Sequence, residues 1–428
     1  MRIAFITAGA AGMFCGSCMR DNTLVAALGR QGHDALLIPT YTPIRLDEPD
    51  QSMHRVFLGG VNVYLQEKSW FFRHTPRWLD WAFDRPWLLR WASRFAYRSE
   101  YSNYGGLIAS MLKGHDGKQK KEMDTLVEFL KNEVKPDIVI LTNVLLSGIV
   151  PFLKAELNVP IVATLQGDDI FLDALHAADR SICLDLIRNN SKNLSGLIAT
   201  SRYYADHMSR YLGIDRNRIT VIPTGIDLKG HGGERAMNDS PKIGFFARIA
   251  PEKGFHQLVD AFIVLRSQSR VSRVKLRASG WFGEHNRPYY NEQMKKLEAA
   301  GLINDFEYVA SPDHASKVRF LKSIDVLSVP TTYKEPKGLY VLEAWANGVP
   351  VVLPDHGCFS ELVTTTGAGI LVPPGKAEAM ANAWVELLSD PSKRVAMGEL
   401  GRKAVQEKYS AVAMATATAA YLHDVLNL

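Results

Sequence analysis

The chain has 428 residues, 46% of them hydrophobic and 22% charged, with a formal net charge of +5. That length exceeds what one hydrophobic core sustains, so at least two domains are expected, and the composition excludes a disordered or fibrous protein. The small net charge gives no reason to expect a nucleic-acid partner, and the four cysteines are too few for a secreted disulfide framework, which makes the cytoplasm the expected compartment.

Met1 leads straight into an apolar run at 2–7, read as a strand, without the basic start, long apolar stretch and cleavage site of a secretory signal. A glycine-containing turn from Gly9 to Gly16 follows, then a helix near 21–31 and a strand at 34–39. The turn is not the G-x-G-x-x-G dinucleotide signature, but it stands where an α/β sheet admits ligands. Cys15-Gly16-Ser17-Cys18 has redox spacing; Cys183 and Cys358 offer no paired spacing, the chain is otherwise unlike a thioredoxin, and the two thiols read as packing.

The segment 66–104 holds five of the eight tryptophans, with Trp87, Trp91 and Phe95 on one helical face and Arg90, Arg94 and Arg98 in a parallel stripe. An amphipathic helix with an aromatic core face accounts for it; a cover over an acceptor site, or peripheral contact with the inner face of an anionic membrane, accounts for it as well. The apolar stretch 138–153 is broken by Thr142, Asn143, Ser147 and Pro151 and falls short of a membrane span.

Strands at 137–141, 160–165, 196–200 and 220–222 continue an alternation of short apolar runs with helical stretches, the pattern of βαβ units. The polar stretch 229–240 has no apolar period and reads as a linker. A second series then begins, with strands near 242–247, 274–278, 306–309, 326–329, 351–353 and 370–372, and beyond Pro391 only helical pattern remains. The expected fold class is α/β, two Rossmann-like domains with parallel sheets at 1–228 and 229–408, and a terminal helix at 409–428 able to pack back on the first domain.

The most informative segment is Glu335-Pro336-Lys337-Gly338-Leu339-Tyr340-Val341-Leu342-Glu343, which follows a strand and opens a helix that stops at Gly348-Val349-Pro350. Backbone amides at Lys337, Gly338 and Leu339 suit an anion at the helix start, and a carboxylate nearby can accept hydrogen bonds from sugar hydroxyls. With its continuation Ala344-Trp345-Ala346-Asn347 and the later Gly357-Cys358-Phe359-Ser360-Glu361 and Gly369-Ile370-Leu371-Val372-Pro373, it resembles the E-x7-E region of the retaining glycosyltransferases called family 4. Ile222-Pro223-Thr224-Gly225 and the run Gly244-Phe245-Phe246-Ala247-Arg248 with Lys253-Gly254 extend the likeness through most of the C-terminal half.

The resemblance implies the GT-B architecture, two Rossmann-like domains facing a cleft, and a transferase acting on a nucleotide-diphosphate sugar with retention of configuration. By that likeness Arg248 and Lys253 bind the donor diphosphate, Glu335 the donor sugar and Glu343 the ribose or a nearby phosphate. Gly16, Lys337, Gly338 and Leu339 complete the donor contacts, and Gly280 to Gly283 with Val309 to Ser311 flank the base. Two positions depart from the family pattern: Lys337 replaces an aromatic residue, and Gln166 stands where many members carry a histidine that touches the donor sugar. Gln166 and Asp168 are candidate contacts to acceptor or donor sugar. No Asp-x-Asp pair occurs in the chain, so neither a metal nor another cofactor is expected beyond the nucleotide sugar as co-substrate. The acceptor would be a saccharide or lipid-linked saccharide in glycan, glycolipid or envelope synthesis. Rival readings are a nucleotide-sugar epimerase or a glycan phosphorylase of the same architecture, and a non-catalytic nucleotide-sugar-binding protein.

Overall fold

In the computed structural model the described residues are 1–9, 15–53, 56–57, 104–233, 240–268 and 273–427. They form two units, Met1–Pro223 with Met414–Leu428, and Thr224–Ala413. The tryptophan-rich segment up to Asn103 lies outside the described residues, so the expected membrane or acceptor-cover role of 66–104 rests on the sequence alone. Among the described residues no helix is long and apolar enough to cross a membrane.

The first unit is built on a six-stranded parallel sheet of order β2-β1-β3-β4-β5-β6. Its strands are β1 (Arg2–Thr7), β2 (Asp34–Pro39), β3 (Ile138–Leu141), β4 (Ile161–Leu165), β5 (Gly196–Ala199) and β6 (Ile219–Val221). Ile3, Ala4, Phe5 and Ile6 are wholly inaccessible, as expected of a central parallel strand covered on both faces. Helices follow the strands: α1 (Gly16–Arg30) after β1, α2 (Asp168–Asp173) after β4 and α3 (Arg202–Leu212) after β5. The first helix begins earlier than its apolar period suggests, with Cys15 as its N-cap, so the Cys-x-x-Cys run opens the helix.

The second unit repeats the plan with the sheet order β12-β11-β10-β7-β8-β9. Its strands are β7 (Lys242–Phe246), β8 (Lys275–Ser279), β9 (Phe306–Tyr308), β10 (Val326–Leu327), β11 (Val351–Pro354) and β12 (Gly369–Val372). Helix α4 (His314–Lys322) precedes β10, α5 (Leu339–Ala346) lies between β10 and β11, and α6 (Cys358–Thr366) follows β11. All strand pairs are parallel, because each connection carries a helix back across the sheet. Trp345 and Trp384 anchor the core, their indole N–H groups donating to Ala368 O and Ser328 Oγ. The last helix, α7 (Ala411–Leu426), belongs from Met414 onward to the first unit, where Thr416 accepts from Gln31 at 2.9 Å.

Candidate active site

The second unit concentrates charge at the carboxyl ends of β7 and β10, the edge where parallel sheets hold ligands. After β7 the chain passes Arg248 and makes a single 3-10 turn, Pro251–Lys253, closed by Gly254 at φ +74°. A Cβ at Gly254 would collide with the Pro330 carbonyl, so glycine here lets the Lys253 turn lie against the segment leaving β10. That segment carries Tyr333 and Glu335 and enters α5 through Gly338, at φ +65°, with no side chain capping the helix.

Glu335 is 3% exposed, and its Oε2 is the focus of the site. Lys253 Nζ donates to it at 2.8 Å, Tyr333 at 2.7 Å and Tyr340 at 3.1 Å. The Lys253 ammonium also meets the Tyr333 hydroxyl and lies 4.7 Å and 5.2 Å from the Tyr333 and Tyr340 ring centroids. Burial by itself would raise the Glu335 carboxyl, but the Lys253 charge and hydrogen bond, the Tyr333 hydroxyl and the Lys337 charge outweigh it and hold the group at about 2. Burial first, and then the Glu335 charge, push both tyrosine hydroxyls well above their ordinary value, so they remain neutral donors. The arrangement is a permanently ionised acceptor of hydrogen bonds beside an ammonium.

The sign of this shift fixes an acid dependence. A carboxyl lowered from 4.5 to about 2 on folding adds stability that is complete above the unfolded value and is lost as pH falls toward 2. The stabilisation is on the order of 3 kcal/mol. Acid titration of unfolding, with amide exchange reporting on the second unit, is expected to show this loss in the parent and a flatter profile in Glu335→Gln.

Arg248 is part-exposed and its Nη2 donates to Glu252 at 2.8 Å. Lys337 is half-buried and acts on Glu335 through its charge. The second glutamate of the motif has a different setting: Glu343 Oε1 accepts from Lys317 Nζ of α4 at 2.7 Å, both side chains nearly inaccessible. Asn347 Nδ2 donates to the Glu343 carbonyl and meets His231 Nδ1, each at 2.8 Å. The described part of the polar stretch after Asp227 is thereby packed on the second unit.

Sequence reasoning missed Lys317, Tyr333 and Tyr340. Lys317 stands three and four residues before the buried Phe320 and Leu321, a spacing that puts its cation on the core face of α4. Tyr333 lies in the loop before α5 and gave no signal, while Tyr340 reads as an apolar position of the helix, four residues before the buried Ala344; only the turn at Gly338 brings both to one oxygen.

On the first unit Gly16 is the first residue of α1. Gln166 Nε2 donates to Thr142 O at 2.7 Å and to Asp21 Oδ2 at 3.1 Å. Asp168 staples the segments after β3 and β4, its two oxygens accepting from the amides of Val144 at 2.9 Å and Gln166 at 3.0 Å. Burial pushes its carboxyl up to about 6 against those hydrogen bonds. Asp169 accepts from Tyr204 at 2.6 Å and lies 3.0 Å from His207 Nε2. Neither Cys15 nor Cys18 is in a disulfide, and the second is held protonated first by its hydrogen bond to Cys15 and then by burial. Among the described residues no group of three metal-ligating side chains occurs.

Residues 231–404 match the family model "Glycosyl transferases group 1", and residues 117–229 match "Glycosyltransferase Family 4". The chain is 26% identical over 252 residues to a phosphatidyl-myo-inositol mannosyltransferase of Mycobacterium leprae, an alignment that spans 58% of this chain and 63% of that protein. It is 26% identical over 317 residues to a D-inositol 3-phosphate glycosyltransferase of Corynebacterium glutamicum, covering 67% and 74% of the two. The fold is that of a sucrose-phosphate synthase from Thermosynechococcus elongatus, with a TM-score of 0.72, 19% identity and 99% of both chains covered. It is also that of Anabaena HepE solved with UDP, at a TM-score of 0.68 and 17% identity over 99% of this chain and 100% of that one.

Proposed function

This chain belongs to the group 1, family 4 glycosyltransferases of GT-B fold, and on that premise we propose that it moves a sugar, with retention and without a metal, from a nucleotide-diphosphate donor to a saccharide hydroxyl. The observation that carries the reading is the Lys253–Glu335 pair at 2.8 Å beside Arg248. It supports the reading because an ammonium suits the charge of a departing diphosphate and an ionised carboxylate suits sugar hydroxyls as donors.

In this reading Arg248 supplies a forked donor to the diphosphate oxygens and Lys253 a compact charge, so that the charge developing on the leaving group is stabilised as the anomeric bond lengthens. The cations take the part that a divalent ion would have in a chain with an Asp-x-Asp pair. Glu335, ionised throughout the neutral range, accepts from the donor sugar and serves to orient it; it is not an acid. Tyr333 and Tyr340 fix the carboxylate in one rotamer, which is the preorganisation that electrostatic stabilisation requires. Glu343, paired with Lys317, accepts from the nucleotide ribose. The acceptor saccharide is assigned to the first unit, in glycan, glycolipid or envelope synthesis.

The test is binding and slow hydrolysis of UDP-, GDP- and ADP-sugars without added metal, for the parent, Glu335→Gln and Arg248→Ala. Turnover of one donor, reduced about a hundredfold or more in both variants, is expected. Absence of binding to every donor would sink the donor site, donor binding without turnover would favour a non-catalytic binder, and conversion of the donor sugar without an acceptor would favour an epimerase.

A further inference from the structure

The sheet of the first unit carries, at its carboxyl edge, a buried cation with two of its three nitrogens unused. Arg20, in the second turn of α1, is 1% exposed; its Nη1 donates to Asp21 Oδ1 at 2.8 Å, while Nε and Nη2 have no hydrogen-bond partner among the described residues. In a guanidinium the N–H of Nε and one N–H of Nη2 point the same way along one edge of the plane. That edge is a two-pronged donor spaced for two oxygens of one carboxylate or phosphate. Charged donors left unpaired in a buried place are costly, more so than neutral ones.

The position of this edge is fixed by its neighbours. Asp21 accepts from Gln166 Nε2 at 3.1 Å, and the same amide donates to Thr142 O at 2.7 Å. Arg20 is therefore tied to the residues that directly follow β3 and β4, where ligands approach a parallel sheet. The next residue after Thr142 adds a second unused polar atom: Asn143 Oδ1 is buried with no hydrogen-bond partner among the described residues. Two aligned donors for an oxyanion and one acceptor for a hydroxyl thus lie on one sheet edge, and the donor-sugar assignment uses none of them.

We propose that Arg20 is the anion-recognising residue of an acceptor site on the first unit, so that the acceptor is a saccharide or polyol bearing a phosphate or carboxylate group. Arg20 Nε and Nη2 take two oxygens of that group, and Asn143 Oδ1 takes a hydroxyl hydrogen. The word acceptor rests on the glycosyl-transfer reading; the oxyanion site does not. Because Asp21 already balances the Arg20 charge, the site offers oriented hydrogen bonds and little surplus potential. Inorganic phosphate is expected to bind with a Kd on the order of millimolar.

The experiment is calorimetric binding of inorganic phosphate to the full chain at constant ionic strength, for the parent, Arg20→Lys, Arg20→Gln and the double variant Arg248→Ala, Lys253→Ala. The expected pattern is binding in the parent, retention in the double variant, at least about tenfold weakening in Arg20→Lys and loss in Arg20→Gln. Circular dichroism checks that each variant folds, and if Arg20→Gln does not, Arg20→Lys decides, since it keeps the charge and removes the fork. No binding by the parent, or equal binding by Arg20→Lys, overturns the proposal. So does loss of binding in the double variant, which would put the phosphate at the donor diphosphate site. Glucose 6-phosphate and glucuronate are expected to bind at least about tenfold more tightly than glucose in an Arg20-dependent way, and equal binding of all three overturns the acceptor class. These are binding readouts, so they stand apart from the donor-turnover test on which the proposed function depends.

Discussion

Lys253→Ala is expected to lower kcat/KM for the donor by roughly a thousandfold and to destabilise the second unit by about 3 kcal/mol. The two effects have separate causes. Turnover falls because the charge that would stabilise the departing diphosphate is gone. Stability falls because Glu335, 3% exposed, keeps a buried carboxylate opposed only by two neutral hydroxyls and the more distant Lys337. The Lys253 charge is the leading influence that lowers the Glu335 carboxyl, so without it that carboxyl titrates upward and the variant takes up a proton at mildly acidic pH. A double variant, Lys253→Ala with Glu335→Gln, separates the causes: stability is expected to recover by about 2 kcal/mol relative to Lys253→Ala, because no unpaired charge remains, while turnover stays lost. Urea unfolding and steady-state kinetics on the four proteins complete the cycle. A single variant as stable as the parent would show that the pair is not a buried charge pair in solution.

Gly357→Ala is expected to be severely damaging, and through the backbone of Glu335 itself. Gly357 has φ +62° and ψ −148°, a region that only glycine enters readily. A Cβ there would lie 2.6 Å from Glu335 N and 2.7 Å from Glu335 O, and backbone atoms have no rotamer by which to yield. Next to it Cys358 N donates to Glu335 O at 2.8 Å, so the first amide of α6 pins the backbone of the residue whose side chain faces Lys253. Relief of the clash must move Glu335. A loss of about 3 kcal/mol or more in unfolding free energy is expected, together with a fall in turnover of about a hundredfold. Gly375→Ala provides the contrast: its φ is +71°, but nothing lies within 4 Å of an added Cβ, so it should cost only about 1 kcal/mol of backbone strain and leave kinetics unchanged. If both variants behave alike, contact with the Glu335 backbone is not what matters at Gly357.

These two predictions divide the site into what was legible in the chain and what was not. Glu335, Arg248 and Lys253 stood out through the resemblance of their segments to family 4; a carboxylate before a helix start and a basic pair after a strand suit that chemistry but are too common to single them out alone. Strand positions were legible from local pattern: a parallel strand buried on both faces needs a short apolar run, and the expected strands 2–7, 34–39 and 242–247 each hold one, at 3–6, 35–38 and 243–246. The early start of α1 was not, since Gly16 and Ser17 carry no apolar period and only packing at the sheet edge makes them helical.

What the sequence by itself determined is therefore the α/β class and the doubling of the βαβ series, which follow from near-neighbour periodicity and turn chemistry, while the charged groups were singled out by the resemblance their segments bear to family 4. The partners of those groups were decided by tertiary structure alone. Glu335 meets Lys253 across 82 residues, Glu343 meets Lys317 across 26, and Gln166 meets Asp21 across 145. No local rule connects positions so far apart. The order of strands in the sheet sets which loops share an edge, and low-dielectric burial then makes each pairing obligatory, because a buried charge or amide without its partner costs more than the fold can spare. The uncommitted edge of Arg20 became visible only in that setting.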